Sequence, residues 1–240
     1  MLSITVTDEW KSAHPGASIG LLEVSGAHNT IVSAEFEARK KEVESYLREK
    51  YQSFTRQDFL SIPTMLAYVQ YYKRFSKTYH VLQQVESIVL KNKNLPVVSP
   101  LVDSNFIAEV DTLALAAGHD VSKLQGSILI DVSKTGDQMT QMNGTAKEIP
   151  AGDMVMKDEH GVCCCIIYGQ DNLSPISPET THALYVVYAP VKVPVESVEA
   201  QLQAIEANIR LLAPSVVVEQ NRVITNWGKS NESNWNCFSE

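Results

Sequence analysis

The chain has 240 residues, 44% of them apolar and 20% charged, which is enough to build a core without staples and excludes a disordered or fibrous chain. Its 28 acidic and 20 basic residues leave a net charge of −8, which argues against a protein made to clamp phosphate backbones. No apolar run is long enough to span a bilayer and no signal peptide opens the sequence, so no membrane association is expected.

Taken in chain order, the first strands are expected at 4–6 and 17–24, punctuated by Pro15-Gly16 and Gly26. Ser33 is a plausible N-cap for a helix over 34–50, whose buried stripe is Phe36, Val43 and Leu47. Residues 55–75 read as helical with a break near Pro63, and Tyr68, Tyr71, Tyr72 and Phe75 lie there beside Lys73 and Arg74. A third helix is expected over 79–90. An alanine-rich helix follows over 104–116 and is ended by Gly118. From Gly126 the pattern turns to short strands, at 127–132, 154–156, 162–168 and 183–188. The most regular helix is predicted over 196–212, with Val198, Leu202, Ile205, Ile209 and Leu212 at spacings of three and four. A last strand is expected at 216–218. Helices and strands do not alternate regularly, so the fold class is α+β, one domain over 1–225 with a polar tail at 226–240.

Charge is unevenly placed. Residues 1–95 carry 12 basic and 10 acidic side chains, whereas residues 96–240 carry 8 and 18, a net of −10. The basic residues Arg39, Lys40, Lys41, Lys73, Arg74 and Lys77 are therefore the candidates for tracking phosphates, with the neighbouring tyrosines available to stack bases. Glutamates interleave with the first three, as on an ordinary solvated helix face.

Three of the four cysteines are consecutive, Cys163, Cys164 and Cys165, in apolar company that reads as a buried strand. With no disulfide framework or zinc spacing, a reducing cytoplasm is the expected location and no metal is expected. The glycine-rich, phosphate-loop and nucleophile-elbow signatures are absent, so no cofactor is expected and no catalytic residue is assigned. His119-Asp120 is either an acid/base pair or a turn cap. Asp103 or Ser104 reads as a helix cap or a site residue. Tyr168-Gly169-Gln170-Asp171-Asn172 is either a pocket-building loop or a polar turn.

The segment Leu95-Pro96-Val97-Val98-Ser99-Pro100-Leu101-Val102-Asp103-Ser104-Asn105 resembles the B3/B4 domain of the phenylalanyl-tRNA synthetase beta subunit in its freestanding form. Gly118 to Gly126, Thr135-Gly136-Asp137, Met142-Asn143-Gly144 and Ile176-Ser177-Pro178-Glu179-Thr180-Thr181 carry the resemblance onward in order. It implies an α+β module that hydrolyses wrongly charged aminoacyl-tRNA through a positioned water, with tRNA as partner. On the resemblance, the pocket takes Asp103, Asn105, His119, Asp120, Lys157, Asp158, Tyr168, Asp171 and Asn172. The pattern departs from the synthetase: Ala117 stands where it has a histidine, Asp103-Ser104-Asn105-Phe106 where it has Asp-x-Thr-Asn, Leu173 where it has the glutamate that reads a tyrosine hydroxyl, and Lys157-Asp158 near its Ala-Gly side of the pocket. The alternative is a non-catalytic binder of an amino-acid-like small molecule; a third reading is a partner-binding module.

Overall fold

The structure, a computed structural model, describes residues 1–226; Cys237 and the tail expected beyond Asn226 lie outside the described residues. The elements run β1 (Ile4–Val6), α1 (Asp8–Ala13), β2 (Ser18–Ser25), α2 (Ala34–Lys50), α3 (Arg56–Phe59), α4 (Pro63–Lys73), α5 (His80–Val89) and α6 (Pro100–Thr112). They continue as β3 (Ala116–Asp120), β4 (Ile128–Val132), β5 (Gln138–Thr140), β6 (Ala146–Glu148), β7 (Met154–Asp158), β8 (Gly161–Cys165), β9 (Gly169–Gln170), β10 (His182–Ala189), α7 (Val195–Leu212) and β11 (Val217–Thr225). This is an α+β arrangement. Among the described residues no helix is long and apolar enough to cross a membrane.

Two sheets carry the architecture. In the first, β11, β2, β10 and β3 lie side by side and antiparallel. The seven residues of β10 from Ala183 to Ala189 are all buried, as a continuous apolar run covered on both faces requires. The second sheet has the order β1, β4, β7, β8, β9, with β1 parallel to β4 and the rest antiparallel. Helix α7 lies across β2, and Gly20 makes the approach possible: a Cβ there would sit 2.7 Å from Val198 Cγ1.

Three local expectations change. The short helix α1 was not foreseen; Thr7 caps it by accepting from the Trp10 backbone, and Trp10 is fully buried. Helix α6 begins at Pro100 rather than at 104, because Ser99 is extended and Pro100 is preset for the first turn; neither Asp103 nor Ser104 is its cap. It stops at Thr112 because Leu113 takes a left-handed conformation (φ 64°), so Ala116 and Ala117 enter β3 instead of extending the helix, and Gly118 lies inside that strand. The Leu113 carbonyl accepts from the Tyr79 hydroxyl at 3.1 Å.

Helix α2 is joined to α6 by a buried ion pair. Lys40 Nζ lies 2.7 Å from Asp103 Oδ2, and both side chains are only 5% exposed. The same ammonium donates to the Pro96 carbonyl, and Asp103 Oδ1 accepts from the Val98 backbone, so the pair also fastens the segment before α6. Lys40 is thus an internal tie and not a surface cation for phosphates. Removing one partner strands a buried charge. Asp103→Ala and Lys40→Met are each expected to lower the urea-unfolding free energy by about 3–5 kcal/mol. A loss below about 1 kcal/mol in both would contradict the role given to the pair.

Candidate functional site

A cavity of about 550 Å³ opens between the two sheets, within the ordinary size of a small-molecule site. Tyr185 and Tyr188 come from β10, Leu115 to Gly118 from β3 and its approach, and Val102, Asn105, Phe106 and Glu109 from α6. Residues 164–170 supply the facing wall, and His80 the start of α5. Val98 and Met142, both more than 60% exposed, mark the mouth. Gly118 is required in the wall: a Cβ there would fall 2.8 Å from Ile176 Cδ1 and 3.0 Å from Tyr185 Cε1.

The lining is mainly apolar, so its few polar groups stand out. Glu109, 1% exposed, lies one helical turn after Asn105. Its Oε1 accepts from the Ala116 backbone at 3.0 Å, and among the described residues no cation pairs with it. Burial lifts its carboxyl to about 8, so at neutral pH it is mainly the uncharged acid. Its place in the last turn of α6, near the carbonyl end of the helix, acts in the same direction.

His80 is the second. Its Nδ1 lies 3.4 Å from the Tyr72 hydroxyl, which gives its own proton to the Ile166 carbonyl at 2.8 Å. The hydroxyl oxygen is thereby left to accept from Nδ1–H, and Nε2 keeps the lone pair. Burial holds the imidazole below its usual value, so the ring is neutral at pH 7. Cys164 and Cys165 also line the cavity, but burial pushes both thiols far up, leaving no thiolate nucleophile.

Of the nine pocket residues expected from the sequence, Asn105 and Tyr168 line this cavity, as does Ala117. Asn105 Nδ2 donates to the Ala116 carbonyl and its Oδ1 accepts from Gln201. The others are engaged elsewhere. Asp103 holds Lys40. His119 is fully buried, with Nδ1 2.8 Å from Ser174 Oγ, which in turn donates to Asp171 Oδ1 at 2.6 Å. Desolvation pushes that imidazole down to about 3. Asp120 caps the 3-10 turn Val121–Lys123 and accepts from Thr180, the capping alternative for this residue. Lys157 lies between Asp131 and Asp137 at 3.1 and 3.3 Å. Asp158 accepts from the backbones of Gln125 and His160. Asn172 is exposed on a separate depression of about 230 Å³ beside Asp171.

The basic residues also divide. Arg39 is paired with Glu42 and Asp111, while Lys41 and Lys73 are exposed. Arg74 covers the rings of Tyr71 and Phe75. Tyr68, Tyr71 and Tyr72 are at most 4% exposed, so they are not available to stack bases. At the cavity, Lys77 lies 5.3 Å and Lys147 6.0 Å from the ring centre of half-buried Tyr168. Glu109, His80 and Lys147 escaped the sequence reading. The available signal for Glu109 was its spacing of four from Asn105 among apolar neighbours; nothing local marked the other two.

The B3/4 domain family matches residues 66–208, a range that contains every cavity-lining residue named above. An N-terminal fragment of the phenylalanyl-tRNA synthetase beta subunit from Pyrococcus horikoshii is similar in structure, with a TM-score of 0.45 and 7% identity. The alignment covers 92% of this chain and 50% of that one, so the chain spans about half the fragment's length. No curated protein matches the sequence.

Glu109 carries a testable pH signature. Its folded carboxyl keeps a proton up to about 8, whereas the unfolded chain gives it up near 4.5. Across that window the unfolded state binds fewer protons, so this group lowers stability as pH rises, at about 1.4 kcal/mol per pH unit at most. Wild type is expected to lose stability relative to Glu109→Gln between pH 5 and 8, measured by urea unfolding of both. Parallel pH profiles would refute the assignment.

Proposed function

From the premise that this chain belongs to the B3/4 domain family, we propose that it captures the aminoacyl end of a mischarged tRNA and hydrolyses the ester in trans. The carrying observation is the cavity: its size suits an amino acid, and a neutral His80 and an uncharged Glu109 stand in its wall. The half-buried Tyr168 offers a stacking face at the mouth, with Lys77 and Lys147 beside it for phosphate.

In this reading Asn105 and Tyr168 belong to the substrate pocket, and His80 is the general base. A water oxygen adds to the ester carbonyl carbon while its proton passes to His80 Nε2. The bond from that carbon to the ribose oxygen then breaks, and the ribose oxygen takes the proton back, releasing free amino acid and tRNA. A neutral imidazole held below its usual value remains a competent base at pH 7, and activity should fall as acid protonates it. With few cations at the rim and a net of −10 over residues 96–240, tRNA should bind weakly and with strong salt dependence.

The second reading, a non-catalytic binder of an amino-acid-like molecule, is favoured by that same acidity and by the absence of a nucleophile–base pair among the described residues lining the cavity. Incubation with a panel of mischarged tRNAs separates the two. Ester loss above the spontaneous rate is expected for at least one pair, reduced about 10²-fold or more by His80→Ala. Lys77→Ala and Lys147→Ala should raise KM and flatten its salt dependence, with kcat little changed. Ligand-induced thermal stabilisation without ester loss for any pair would leave the binder as the surviving reading.

A further inference from the structure

Among the described residues Glu109 is the one acid lining the cavity, and no cation pairs with it. The titratable groups near it are Tyr68 and Tyr72 of α4, Tyr79, and His80 at the start of α5, with Cys164 of β8 in the opposite wall. Burial keeps the phenols and the thiol protonated and the imidazole uncharged. A buried carboxyl without a counter-charge is held as the neutral acid only until a cation arrives. The backbone N–H of Ala116 already points at Oε1, an arrangement that favours the carboxylate over the acid. Phe106, Tyr168, Tyr185 and Tyr188 line the same space, and aromatic faces add attraction for an ammonium.

We infer that the cavity selects ligands carrying a primary ammonium group on an apolar body, with Glu109 as its counter-charge. The inference deepens the proposed function, on which it rests for its natural ligand: an aminoacyl ester presents such an ammonium at its α-carbon, whereas an N-acylated one does not. Glu109 is then what distinguishes a free aminoacyl end from a blocked one. Binding converts Glu109 from acid to carboxylate, so a proton leaves the protein as the ammonium enters.

Calorimetry on the whole chain tests this with phenethylamine and its neutral counterpart 2-phenylethanol as probes. At pH 7 the binding enthalpy of phenethylamine should vary with the ionisation enthalpy of the buffer, with a slope of about one proton released per ligand. The alcohol should show no such slope. Glu109→Gln, which keeps the acceptor for Ala116, should abolish the proton release and weaken amine binding about tenfold or more. Its binding of the alcohol should be unchanged. Equal binding of the two probes, amine binding without proton release, or no binding of either at millimolar concentration would each overturn the inference.

A second arm compares aminoacyl-tRNA with its N-acetyl form. Undiminished ester loss from the acetylated form overturns the inference and leaves the hydrolase reading standing. Amine binding with proton release but no ester loss from any tRNA does the reverse.

Discussion

One helix ties the two sheets together through three phenolic hydroxyls, and the cavity lies between the sheets it joins. Tyr68 donates to the Tyr188 carbonyl and accepts from the Leu115 backbone, closing the end of the β3–β10 pairing. Tyr71 donates to Asp153 and accepts from Met154 at the start of β7, and Tyr72 donates to the Ile166 carbonyl just beyond β8. Each hydroxyl meets backbone or carboxylate groups that would otherwise be buried without a partner, which is expensive in an apolar interior. Tyr188, Leu115 and Ile166 are at once the anchors of this helix and parts of the cavity wall. The geometry of the site is therefore inherited from contacts made behind it.

The buried carboxylates of the described residues follow a consistent rule, from which Glu109 departs. Lys40 meets Asp103, Lys157 meets Asp131, and Lys123 approaches Asp120, so each carboxylate keeps a cation or a set of donors. Asp153 has no cation, but Tyr71 and the Ile167 backbone donate to its two oxygens; burial still lifts it to about 6. It holds the loop that carries Ile166 and Ile167 into the cavity wall. Glu109 differs because it lines open space instead of packing against donors on every side. Carboxyls that neither ionise freely nor find an internal partner are where ligand chemistry is most readily sought.

How much could be read from the chain differs by element. The stripes of α2 and α7 were legible because each helix packs one face, and the spacing of three and four survives in the sequence. β10 was legible as a continuous apolar run. Ala116 and Ala117 were not, since alanine carries no strong strand signal and only the vacant place beside β10 makes them a strand. Among candidate site residues, Asn105 and Tyr168 were named from sequence and reach the cavity, whereas Glu109 and His80 reach it from positions the sequence does not distinguish. The basic run at 39–41 looked like one surface, yet it mixes a paired arginine, a buried lysine and an exposed one.

By itself the sequence determined the α+β class, the long amphipathic helices, the buried cysteine strand and the family, because periodicity and the order of loose motifs are local or collinear properties. The tertiary structure alone decided which polar groups are charged, which are exposed and which share a cavity. Those depend on distances between residues far apart in the chain: Lys40 is neutralised by a carboxylate 63 residues away, and Lys77 and Lys147 each lie near the ring of Tyr168. The net charge of −8 is a sum over the chain, whereas the chemistry of the site is set by a carboxyl in its wall that has the Ala116 backbone as donor but, among the described residues, no cation.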